Sequence, residues 1–88
     1  MITKKDFNEV LITTPHCILG KAGITDEFLK HVTTLLKRNK AIKIKALKNI
    51  ATKANIKDLA KIIAEKTNTH LLDVRGKIII ISKYPLAK

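Results

Sequence analysis

The feature that most constrains this chain is a run of four isoleucines, Ile78-Ile79-Ile80-Ile81, its longest unbroken apolar stretch. Four residues are far too few to cross a bilayer, which takes ~20 apolar residues in a helix. β-Branched side chains favour extended backbone, and a strand with no polar member has no face to offer water. The run therefore reads as a central strand, buried on both faces. The remaining residues must supply its neighbours and its cover.

They do so with regular alternation of pattern. Thr3 is a helix cap with Asp6 three residues on, and Phe7, Val10 and Leu11 share one face, so a short helix is expected over 3–12. Thr13, Thr14 and Pro15 stop it. His16 to Leu19 suits a short strand ending at Gly20. Thr25 caps a second helix, with Asp26 and Glu27 at its positive end and Lys37, Arg38 and Lys40 at its negative end. Phe28, Leu29, Val32, Leu35 and Leu36 form its buried stripe, and Asn39 is expected to stop it.

Ile42-Lys43-Ile44-Lys45-Ala46 has the two-residue period of a strand with one wet face, which places Lys43 and Lys45 together. A third helix is expected from about Asn55 to near Asn68, with Ile56, Leu59, Ala60, Ile62 and Ile63 inward. His70–Val74 and Lys77–Ser82 read as two strands joined at Arg75-Gly76, the first less regular than a clean alternation. The tail from Lys83 is expected to fray, over 84–88 in particular. The order α-β-α-β-α-β-β implies an α/β fold, one compact domain over 1–88 with helices packed on a mixed four-stranded sheet.

Charge points to the partner. Eighteen Lys+Arg against seven Asp+Glu give a formal net charge of +11. So large an excess repels itself in a compact state, and a polyanion relieves that repulsion. The first twelve residues carry acids among their apolar positions and lack a signal-peptide block, so a soluble cytoplasmic protein is expected, with no membrane partner. The lone Cys17 is compatible with a reducing compartment and rules out an internal disulfide.

Between the first strand and the second helix stands Gly20-Lys21-Ala22-Gly23. Glycines allow close approach of backbone to a ligand, helix N-termini offer N–H donors to anions, and Lys21 adds a charge at the tip. An isolated G-x-x-G is ordinarily just a tight turn. It is neither a Walker loop nor a dinucleotide fingerprint, and its spacing is that of backbone-clamping RNA modules such as KH domains.

The run Pro15-His16-Cys17-Ile18-Leu19-Gly20-Lys21-Ala22-Gly23-Ile24-Thr25 resembles the opening of a CRM domain (chloroplast RNA splicing and ribosome maturation, with bacterial YhbY-like members). Ile42-Lys43-Ile44-Lys45 is similar to that family's I-K-V-K strand, and Gly76-Lys77 with the strand after it is similar to the family's closing segment. The resemblance runs from Pro15 to Lys83. Where the family carries His-Glu-Leu before the I-K-V-K strand, this chain has Arg38-Asn39-Lys40-Ala41. The resemblance implies a fold like the C-terminal domain of translation initiation factor three. It also implies RNA binding through the G-x-x-G loop, with ribosomal RNA or a pre-ribosomal particle as partner and large-subunit assembly or RNA folding as the task.

Gly20, Lys21, Ala22 and Gly23 are the expected phosphate contacts, and Lys37, Arg38, Lys40, Lys43 and Lys45 the basic surface extending them. Lys43 and Lys45 fit equally the solvated face of an edge strand, where lysine discourages aggregation. Arg75 and Lys77 read as exposed turn residues, and Lys57, Lys61 and Lys66 as the wet face of the third helix. His16 and Cys17 are adjacent on a strand, point to opposite faces and lack an orienting third group, so no nucleophile pair, catalytic residue, metal, cofactor or small-molecule substrate is expected. With Phe7, Phe28 and Tyr84 as the whole aromatic set, phosphate and shape recognition is favoured over base reading. A DNA-coating protein and an adaptor for an acidic protein surface are the alternatives, since backbone charge alone does not separate the polymers.

Overall fold

The first two helices begin where a threonine side chain satisfies an early amide. In the computed structural model, which describes residues 2–47 and 55–85, Thr3 and Asp6 form a reciprocal capping box at the head of α1 (Lys4–Ile12). The Thr25 hydroxyl accepts from the Phe28 N–H at 3.1 Å and starts α2 (Asp26–Arg38). Asn39 closes α2, its side chain and its backbone N–H both donating to the Leu35 carbonyl at 3.0 Å. The third helix, α3 (Ile56–Thr67), ends at Asn68 in the left-handed region with φ 56°, a conformation asparagine tolerates.

The strands β1 (Cys17–Leu19), β2 (Ala41–Ala46), β3 (His70–Arg75) and β4 (Ile78–Ser82) form one mixed sheet in the order β1-β2-β4-β3. β1 runs parallel to β2, with α2 as the crossover between them, and the other pairings are antiparallel. The isoleucine strand β4 is central, and Ile79, Ile80 and Ile81 are fully buried. The irregular Leu71-Leu72 stretch is a β-bulge: the register shifts between Leu71 and Asp73, which restores Val74 to the inner face opposite Ile79.

One face of the sheet carries Cys17, Leu19, Ile42, Ile44, Ile79 and Ile81 and packs on Val32 and Leu36 of α2 and on Ala60 and Ile63 of α3. Lys43 and Ile80 point the other way, toward α1. The N-terminus joins that second layer, with Ile2 fully buried and its N–H donating to the Pro85 carbonyl at 3.0 Å.

One expectation is corrected. β2 is not an edge strand, because the three residues of β1 add a parallel neighbour on its outer side. Beyond β4, Lys83 N–H donates to the Lys40 carbonyl at 3.2 Å and Tyr84 N–H to the Ser82 hydroxyl at 3.0 Å. Residues 86–88 of the expected frayed tail lie outside the described residues. Among the described residues no helix is long and apolar enough to cross a membrane.

Candidate nucleic-acid interface

The glycine loop is a closed turn. Gly23 N–H donates to the Gly20 carbonyl at 2.9 Å, which leaves Lys21 and Ala22 exposed at the tip. Gly23 sits at φ 74°, where a side chain would be strained. Gly20 has no such requirement, and a Cβ there would meet only Leu47 Cδ1 at 4.0 Å. Thr25 already satisfies the Phe28 amide, and the exposed part of the loop is its tip.

The sheet decides what stands beside the loop. Because β1 and β2 are parallel and β4 is antiparallel to β2, the ends of β1 and β2 lie against the start of β4 and the end of β3. One cross-strand row therefore reads Ile18, Lys45, Ile78, Arg75 on the face opposite α2 and α3. Ile18 is 57% exposed, and Lys45 and Arg75 are exposed as well. Beyond the row, Ala46 N–H donates to the Lys77 carbonyl at 2.8 Å, so the Arg75-Gly76-Lys77 turn is fastened to the same end of the sheet. Arg75 is steadied by an ion pair from its Nε to Asp73.

The structure thus brings Gly20, Lys21, Ala22 and Gly23 together with Lys45, and it adds Arg75 and Lys77, whose local sequence shows only an exposed turn. Their place follows from the β1-β2-β4-β3 order, which pairs residues about 27 to 41 positions apart, a relationship that no local pattern displays. Lys37, Arg38 and Lys40 are not in this group. They lie at the far end of α2, whose thirteen residues span ~20 Å.

Lys43 shares the face of Lys45 but not its exposure. Its ammonium donates to the Leu11 carbonyl at 2.7 Å and to the Thr13 carbonyl at 2.9 Å. Its backbone N–H donates to His16 Nδ1 at 3.0 Å, and His16 N–H donates to the Lys43 carbonyl at 2.8 Å. Burial first, and then the Lys43 charge, lower the His16 pKa below its ordinary 6.5. Cys17 faces the core, and burial pushes its thiol up to about 11, far from the thiolate a nucleophile needs. Among the described residues no three His, Cys, Asp or Glu side chains come together as a metal site.

The model of the CRS1/YhbY (CRM) domain matches residues 8–83. The chain belongs to that family. The CRM match takes in every strand, α2, α3 and most of α1, together with the glycine loop and the Arg75–Lys77 turn. No similar protein was found among curated ones. Among solved structures, this CRM domain is similar to the solution structure of a Staphylococcus aureus protein described as a candidate RNA binder. The two share 27% sequence identity at a TM-score of 0.74, over 97% of this chain and 91% of the other.

Proposed function

We propose that the protein binds structured RNA by its sugar-phosphate backbone, at the end of the sheet where the Gly20–Gly23 loop meets Lys45 and the Arg75–Lys77 turn. Membership of the CRM family and the likeness to a candidate RNA binder support RNA as the partner. The observation that carries the site is the shared row: the loop's own strand, Lys45 and Arg75 lie side by side across the sheet. Exposed cations around a backbone turn attract phosphates without reading bases. Ribosomal RNA, and assembly of the large ribosomal subunit, are the setting that the family resemblance favours.

Binding of a structured ribosomal RNA fragment, followed by fluorescence anisotropy across a salt series, tests the reading. Lys21→Glu and Arg75→Glu should each weaken binding about tenfold and reduce the salt slope by ~1 per lost phosphate contact, with little change in melting temperature. Unchanged affinity in both variants refutes the site. Equal affinity for duplex DNA at physiological salt would make the protein a DNA-coating one instead.

A further inference from the structure

At the opposite end of the sheet from the glycine loop is a notch of about 200 Å³ lined by Lys37, Arg38, Lys40, Lys83 and Tyr84. Two elements far apart in sequence build it: the end of α2 running into β2, and the chain that leaves β4. Ser82, fully buried, holds them together. Its hydroxyl donates to the Lys40 carbonyl at 2.9 Å and accepts from Tyr84 N–H at 3.0 Å, while Lys83 N–H donates to the same Lys40 carbonyl at 3.2 Å. The backbone that carries Tyr84 is thereby fixed against the backbone that carries Lys40.

The side chains so placed are of two kinds. Tyr84 is 45% exposed, whereas Phe7 and Phe28 are each half-buried, with Phe28 packed against the core. The four cations are exposed, and among the described residues the one ion pair is that of Arg75 with Asp73, at the other end of the sheet. Asp6 feels the Lys40 charge, but its carboxylate is engaged first by Thr3, whose hydrogen bonds chiefly lower its pKa. Helix-dipole complementarity accounts for Lys37 and Arg38 at the end of α2. It does not account for Lys83, or for an exposed aromatic ring lining the same notch as four cations.

We infer that this notch holds one unpaired nucleotide of an RNA strand, its base stacked on the Tyr84 ring and its flanking phosphates on Lys37, Arg38, Lys40 and Lys83. The inference rests on the RNA-binding reading above and adds a second contact ~20 Å from the loop, along the length of α2. A ring beside cations takes a base of any identity, because every base has a π-face, and the cations hold the chain on either side. The partner is thus gripped at two points, by backbone at the glycine loop and by one splayed base at the notch.

The chain has one tyrosine and no tryptophan, so its intrinsic emission reports on Tyr84 alone. Titration of the intact protein with a short oligouridylate should quench that emission to saturation. An abasic ribose-phosphate oligomer of equal length should bind without quenching. Tyr84→Leu should weaken oligouridylate binding, read by anisotropy of a labelled strand, about tenfold, the size of one base–aromatic stack, while Tyr84→Phe stays within about twofold of the wild type. If structured RNA binds and Lys21→Glu weakens it, yet oligouridylate leaves the emission unchanged or Tyr84→Leu binds it normally, the notch is refuted and the loop reading stands. If the wild type binds neither RNA, both fall. Quenching by a polyglutamate peptide equal to that by oligouridylate would make the notch a general anion dock and overturn the proposal.

Discussion

The ammonium of Lys43, in the middle of the sheet, lies 2.7 Å from the carbonyl oxygen of Leu11, in the last turn of α1. That turn has no basic residue of its own, and its terminal carbonyls need donors. A lysine from β2 supplies them, with a second bond to Thr13. Lys43 is thus engaged inside the fold, whereas Lys45, on the same strand face, stays exposed.

Lys43→Ala should cost about 1–3 kcal/mol of stability, the range for hydrogen bonds to a charged group, and should raise amide exchange in α1 first. Lys45→Ala should leave stability within about 0.5 kcal/mol, as an exposed substitution does, and should weaken RNA binding. Urea unfolding and anisotropy on both variants check the division.

Stability should fall as the solution is acidified through the histidine range. His16 accepts the Lys43 N–H through Nδ1 and is lowered below 6.5 in the fold, so folding favours its neutral form. Its contribution is complete above pH 6.5, where folded and unfolded states are both neutral, and is lost progressively below that as only the unfolded chain takes up a proton. His16→Gln, which keeps an acceptor that does not titrate, should show a smaller drop between about pH 7 and about pH 5 in chemical denaturation.

The two glycines of the loop should separate under substitution. Gly23→Ala forces a side chain into φ 74° and should cost about 1–2 kcal/mol. Gly20→Ala meets only Leu47 at 4.0 Å and should fold normally. Affinity lost by Gly20→Ala at unchanged melting temperature would therefore measure how closely RNA approaches that backbone.

Cys17 should resist alkylation in the native protein, since it is buried and its thiol is pushed up to about 11. Labelling at neutral pH should track global opening, and a labelling rate like that of a free thiol would contradict the packed strand.

The seven elements among the described residues were legible because each is a local pattern. Threonine caps, the alternation in β2 and the isoleucine run place helix and strand ends within a residue or two of those observed. Residues whose roles depend on pairing between distant segments were not. Nothing near Lys43 in sequence announces Leu11, and Arg75 belongs beside Lys45 only because β4 inserts between β2 and β3. The candidate site was legible in its loop and in Lys45. The separation of Lys37, Arg38 and Lys40 from that loop follows from the direction of α2, which turns a single expected groove into two ends of one molecule.

The sheet order also bears on how the chain folds as it is made. Among the described residues β4 is the last strand in sequence, yet it is the partner of both β2 and β3, and β3 has no other neighbour there in the sheet. Until Ile78–Ser82 has been synthesised, β3 lacks its sheet partner among the described residues, and there β2 has the three residues of β1 beside it. The nascent chain can form helices early, but its core closes in one late step of long-range pairing, and until then the apolar inner faces of α2, α3 and β2 remain open to solvent and to other chains.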